Sequence, residues 1–150
     1  MIVRMMATLL LAITLFITGC SSGGDKEVEV PIDLKNASNV GSLQMSISYD
    51  ANVLQAIEVN PEELGKDAMI ESNLDNHGII IIGIVDSSGI NGSGSLVSIS
   101  FDILGKSATS SLTINNVVAH NVDTLVDLPT SLIQGKFTAG GVSKPGIVFP

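Results

Sequence analysis

Ser42-Leu43-Gln44-Met45-Ser46-Ile47-Ser48-Tyr49 decides the fold. Apolar side chains alternate with polar ones along the whole stretch, and a period of two marks a strand with one dry and one wet face. The same rhythm recurs on both sides of it. Val28, Val30, Ile32 and Leu34 alternate with Glu27, Glu29, Pro31 and Asp33, and Val97, Ile99, Phe101 and Ile103 alternate with Ser98, Ser100 and Asp102. Shorter strands are expected at residues 54–59, 68–72, 79–85, 111–118 and 132–138. Turn chemistry separates them: Asn36-Ala37-Ser38-Asn39 with Gly41, Asp75-Asn76-His77-Gly78, Ser88-Gly89 through Gly94, and Gly105-Lys106. Single helical turns are expected at Asp50-Ala51-Asn52 and at Pro61-Glu62-Glu63-Leu64, the latter with proline in first position. No stretch keeps a 3.6-residue period long enough for a helix. The expected architecture is all-β, an antiparallel β-sandwich or jelly roll of about eight strands.

The N-terminus reads differently. Residues 5–16 are uncharged behind the single Arg4, like a signal-peptide core. They fall short of the roughly 20 apolar residues that span a bilayer. Ile17-Thr18-Gly19-Cys20 follows, and it resembles a bacterial lipobox, whose cysteine is lipidated and becomes the first mature residue. The resemblance implies a signal peptide at 1–19 and lipidated Cys20 on a flexible tether at 20–26, ahead of the expected sandwich at 27–139 and a tail at 140–150. It also implies a lipid-anchored, extracytoplasmic place at the bacterial cell envelope, in the outer membrane where there are two, given Ser21 after the cysteine. The alternative is an uncleaved anchor helix.

Cleavage before Cys20 leaves 131 residues, enough for one domain. Cys20 is the only cysteine, so a disulfide, a cysteine metal site and a cysteine nucleophile are excluded from that domain. Without Arg4, six lysines stand against fifteen acids, a net charge of −9. A domain of that sign, without arginine, does not suit nucleic acid. Anionic headgroups would repel it too, so the lipid and not a basic patch must hold it to the membrane.

The residues also match a family in order and spacing. Gly24-Asp25-Lys26-Glu27-Val28-Glu29-Val30-Pro31-Ile32-Asp33-Leu34 resembles the opening strand of a cohesin domain. Tyr49-Asp50-Ala51-Asn52-Val53-Leu54 resembles the cohesin Tyr-Asp-Pro-x-Val-Leu pattern. Asn60-Pro61-Glu62-Glu63-Leu64, the isoleucine strand ending at Asp86-Ser87-Ser88-Gly89, and the segment from Gly94 to Phe101 continue it. The resemblance covers roughly residues 24–139. It implies a nine-stranded jelly roll that grips a dockerin-type protein module, with any calcium carried by the partner. The family's usual strand before Gly-Asp is missing or cut short, which would leave residues 132–138 with an open edge. Residues 142–149 are expected to fold back over it, with Pro145 limiting their pairing. Where dockerin-binding cohesins often carry a strand aspartate, this chain has Gln44.

Ile79-Ile80-Ile81-Ile82 carries the binding expectation. Alternation sends two of these isoleucines to each face, so either covering side chains hide the outer pair or it is a partner patch. In cohesins this strand is central to the dockerin-binding sheet. The candidate partner face is therefore Gln44, Ser46 and Ser48 beside Ile79 and Ile81, with Asp86 and Ser87 at the strand end. His77 reads as a turn residue and His120 as a loop residue, and their separation suits no zinc motif. Asn73, Asp75 and His77 imitate half an EF-hand loop, but position twelve falls on Ile84. No catalytic motif is present, so neither enzyme activity nor a cofactor is expected. Polysaccharide binding is a second reading, because cohesins resemble carbohydrate-binding modules in fold; the scarcity of aromatics argues against a stacking platform. A third reading is a structural envelope lipoprotein completed by another protein's strand.

Overall fold

The computed structural model describes residues 26–105 and 109–150. The signal peptide, Cys20, residues 21–25 of the expected tether and Lys106 lie outside the described residues, and Lys26, expected in the tether, opens the first strand. The described residues form nine strands: β1 (Lys26–Ser48), β2 (Leu54–Pro61), β3 (Met69–Asn73), β4 (Ile79–Ile103), β5 (Ser110–Asn121), β6 (Ser131–Ile133), β7 (Gly135–Thr138), β8 (Gly141–Ser143) and β9 (Gly146–Val148). There is no helix among the described residues. Hydrogen bonding runs β2-β4-β1-β5-β7-β8, with β3 on β4, and β9 between β1 and β6. The all-β, antiparallel expectation holds, with one parallel pair, β1 with β9.

Two expected pairs of strands are single long strands. The segments at Val28–Leu34 and Leu43–Ser48 are both part of β1, and those at 79–85 and 97–103 are both part of β4. The predicted turns between them are β-bulges. Asn36 and Asn39 have φ of 57° and 52°, while Gly89 and Gly92 have 79° and 105°. These left-handed residues face each other across the ladder, where Ala37 pairs with Gly92 and Val40 with Ile90 amid register shifts. Asparagine and glycine tolerate that conformation best, so both strands bend together and the ribbon stays closed. Side chains replace the lost rungs. The Asn36 amide donates to Ser93 Oγ at 2.9 Å, and the Asn39 amide donates to Asn91 Oδ1 at 2.9 Å.

The bend puts the two halves of the ribbon around one core. Val30, Ile32 and Leu34 from the first half of β1 and Leu43, Met45 and Ile47 from the second are all buried in it. Ile80, Ile82, Ile84, Ile99 and Phe101 of β4 join them, and Tyr49 meets Phe101 edge-on with ring centroids 5.2 Å apart. Each inward residue sits two positions from the next, as the alternation required.

The expected strand at 132–138 is divided. β6 pairs with β9 and β7 with β5, so the chain changes sheets at Gln134. The Gln134 side chain bridges the break: its Oε1 accepts from the Ile114 amide at 2.7 Å, and its Nε2 donates to the Ile114 carbonyl at 3.2 Å. An amide side chain thus supplies the two bonds of a missing rung. The stretch given as a tail at 140–150 is woven into the fold, and residues 142–149 fold back over 132–138 as expected. β8 pairs with β7, β9 fills the space between β6 and β1, and Ile147 and Phe149 enter the core. Pro145 stands off the ladders between β8 and β9, and its carbonyl accepts from the Asp33 amide at 3.2 Å. Gly135 passes so close that a Cβ there would lie 2.5 Å from Pro145 Cδ.

Only one of the two helical turns forms. The Val53 and Leu54 amides donate to the Asp50 carbonyl, both at 3.0 Å, closing a single turn. Pro61 instead ends β2, which pairs on one side only, and the turn runs from Glu62 to Gly65. An edge strand needs no amide hydrogen on its open side, so proline is accommodated there.

Candidate functional site

Four strand segments lie side by side in the order β3, β4, β1, β5, and their outward side chains form one continuous face. Reading across it, Met69 pairs with Val85, Val85 with Ser42, and Ser42 with His120. The next row is Glu71, Gly83, Gln44 and Val118, followed by Asn73, Ile81, Ser46 and Asn115. Ile79, Ser48 and Thr113 close it. Alternation divides the isoleucine run as expected: Ile80 and Ile82 are fully buried, whereas Ile79 and Ile81 are 45% and 39% exposed. Met69, Val85 and Val118 share their face and are 69%, 55% and 46% exposed. Eleven large hydrophobic residues are exposed among the described residues, and five of them lie here. A scattered set would be ordinary; this many on one sheet face is a patch.

The structure brings Gln44, Ser46, Ser48, Ile79 and Ile81 together, but they differ in availability. Ser46 Oγ donates to the Asn115 carbonyl at 3.3 Å and accepts from Asn116 Nδ2 at 3.2 Å, while Ser48 Oγ accepts from Asn115 Nδ2 at 3.1 Å. This network follows from a bulge at Asn116, whose φ of 51° turns the two asparagines over the serine row. Gln44 is exposed. Asp86 and Ser87 lie beyond the row of Met69, Val85, Ser42 and His120, at the end away from Ile79. Asp86 Oδ1 accepts from the Ser88 amide at 2.7 Å in a local turn, and Ser87 is exposed.

Sequence reasoning missed Met69, Glu71, Val85, Val118 and His120. Continuing the outward alternation from Ile79 and Ile81 would have reached Val85. Against expectation His120 lies in β5, not a loop. Its Nδ1 is 3.0 Å from Ser42 Oγ and its Nε2 is 3.1 Å from Asp127 Oδ1. The bridge clips the loop after β5 onto the sheet, aided by the Asn121 amide donating to Val126 O and the Leu128 amide to Ala119 O. Leu125 at the loop tip is exposed with φ of 56°, a strained setting for leucine. Ser42, His120 and Asp127 stand in line, and the array joins the loop after β5 to a central strand that pairs with both β4 and β5.

Gly83 leaves a gap in the outward row of β4. Around it opens a groove of about 280 Å³ lined by Ser42, Gln44, Met69, Glu71, Val85, Val118 and His120. A Cβ at Gly83 would meet nothing within 4 Å, so the groove floor is bare backbone. Glu71 forms no ion pair among the described residues. His77 lies in the turn leading into β4, where the Ile79 amide donates to the Asn76 carbonyl at 3.0 Å. Among the described residues no group of three or more His, Cys, Asp or Glu side chains is placed to hold a metal ion.

A family model described as the cohesin domain matches residues 13–139. Among solved structures, a non-cellulosomal cohesin from the hyperthermophilic archaeon Archaeoglobus fulgidus superposes with a TM-score of 0.66 at 24% identity, covering 83% of this chain and 80% of that one. A type I cohesin–dockerin complex from Clostridium thermocellum gives 0.64 at 15% identity, covering 83% and 85%. The sixth cohesin of Acetivibrio cellulolyticus scaffoldin B, in complex with a Cel5 dockerin, gives 0.60 at 18%, covering 83% and 89%. At these identities the likeness establishes the jelly-roll sandwich fold. No curated protein sequence matches the chain.

Proposed function

The chain belongs to the cohesin family, and from that premise we propose that it is a non-catalytic docking module that binds a dockerin-type protein through the β3-β4-β1-β5 face. The observation carrying this reading is the apolar cluster of Met69, Ile79, Ile81, Val85 and Val118 on one open sheet face, interspersed with Gln44 and the serine row. An apolar centre with hydrogen-bonding groups around it is the usual make-up of a protein interface. The solved complexes of similar fold, in which cohesins are joined to dockerins, support the choice of partner. Ser87, exposed one step beyond Val85, extends the same surface as its rim, while Asp86 is engaged by the Ser88 amide. Polysaccharide stacking finds little support, because Phe101, Phe137 and Phe149 are buried and Tyr49 packs on the core.

The full chain, kept in detergent, serves as bait for dockerin-bearing proteins with calcium or with chelator. Capture that needs calcium and disappears in Ile81→Asp supports the reading. Capture indifferent to calcium, or unchanged in Ile81→Asp, overturns it.

The same proposal includes a lipid at Cys20 that holds the module at the cell envelope, motivated by Ile17-Thr18-Gly19-Cys20 and the uncharged stretch before it. Intact-mass measurement of the mature chain should show diacylglyceryl addition at Cys20 that is lost in Cys20→Ser. An unmodified, uncleaved N-terminus would refute it.

A further inference from the structure

We infer that the groove over Gly83 is a socket for one cationic side chain of the partner, arginine in preference to lysine. The inference rests on the docking reading above and specifies what that face recognises. Glu71 and Gln44 pair with Gly83 from opposite sides, so an acidic group and an amide flank a position with no side chain. Strands lie about 4.8 Å apart, which separates the two flanking Cα atoms by roughly 10 Å across a bare floor. Met69, Val85 and Val118 make the walls apolar.

A side chain entering here needs an apolar stem and a positively charged head. Only lysine and arginine have both. Among the described residues nothing competes for Glu71: no lysine lines the groove, and Glu71 has no ion-pair partner. His120 has both ring nitrogens engaged, by Ser42 and Asp127. Arginine fits better because its flat fork can donate to Glu71 and to Gln44 Oε1 together. It also sheds water more easily than an ammonium group. An acidic partner residue at this point would be rejected, since Glu71 would face a like charge.

The test is a titration of the 15N-labelled full chain, in zwitterionic detergent, with propylguanidinium, and separately with propylammonium and neutral propylurea. A seven-atom ligand of this kind should bind at roughly 1–10 mM. The expected result is saturable shifts of the Gly83, Gln44, Glu71 and Val118 amides. Propylguanidinium should bind several-fold more tightly than propylammonium, and propylurea should not bind measurably. Glu71→Gln should weaken propylguanidinium about five- to tenfold, and Gly83→Val should abolish its binding while the spectrum keeps its folded dispersion. Equal binding of propylurea, shifts centred elsewhere, or undiminished binding by Gly83→Val would overturn the inference. Calcium-dependent capture of a dockerin that survives both Gly83→Val and Glu71→Arg would retire the socket and leave the docking reading intact.

Discussion

Replacing Ile81 and Ile82 one at a time by alanine tests the fold and the face together. The two residues adjoin in sequence and share one side-chain chemistry, yet Ile82 is fully buried and Ile81 is 39% exposed. Truncating Ile82 removes buried methyl groups and leaves a cavity in a packed core, a change that costs about 2–5 kcal/mol. Full burial of an isoleucine is worth about 1.5–3 kcal/mol, and Ile81 keeps much of its surface in water and retains Cβ as alanine, so its loss should cost about 1 kcal/mol. With a urea dependence of about 2 kcal/mol/M, the midpoint should fall by roughly 1–2.5 M for Ile82→Ala and by about 0.5 M for Ile81→Ala. The chain has one tyrosine and no tryptophan, and Tyr49 rests against Phe101, so tyrosine fluorescence reports the core. Partner capture should move oppositely: Ile81→Ala weakens it, whereas Ile82→Ala leaves it intact under conditions where the domain is folded. Equal destabilisation by the two substitutions, or a larger effect at Ile81, would refute the assignment of faces.

Four further perturbations probe the packing and the closure of the chain. Gly135→Ala should destabilise by about 2 kcal/mol or more, because its Cβ would lie 2.5 Å from Pro145 Cδ and 2.7 Å from Ser143 O. Gly83→Ala should be neutral or stabilise by about 0.5 kcal/mol; thermal melts compare the two, and a similar loss in both would contradict the packing. Gln134→Ala strips Ile114 of two hydrogen bonds and should cost about 1–2 kcal/mol, with faster hydrogen exchange at the Ile114 amide as its local signature; unchanged exchange would rule out the bridge. Removing residues 146–150 discards buried Ile147 and Phe149, each worth about 1.5–3 kcal/mol, together with the β9 ladders. Near-wild-type chemical-shift dispersion in that truncation would show that β9 is dispensable.

Alternation alone made the sheet core legible, since Val30, Ile32, Leu43, Met45, Ile47, Ile99 and Phe101 point inward wherever their segments pair. Continuity was not legible. Asn36, Asn39, Gly89 and Gly92 advertise left-handed backbone, which a turn and a bulge both use; only the opposing strand decides between them. The division at Gln134 was hidden for a related reason, because its amide mimics a rung that no local pattern encodes. On the face, period two turned Ile79 and Ile81 outward on one strand and Gln44, Ser46 and Ser48 outward on another, and the cohesin resemblance set the two strands side by side. Met69, Glu71 and Val118 did not follow, because which strands become neighbours is a property of topology. Asp86 was drawn instead into a turn with Ser88.

The parallel docking of β9 on β1 orders events in time. Lys35 and Asn36, near the beginning of the sheet, bond with Phe149, which for Asn36 means a span of 113 residues. During synthesis that seam stays unzipped until the far stretch has emerged, so early portions of the polypeptide cannot lock prematurely. Such distant closure makes for sluggish maturation, on the order of milliseconds to seconds. Until then the first strand's bare margin is a snare for neighbouring nascent copies, and a helper that masks it would raise the yield of correctly assembled molecules.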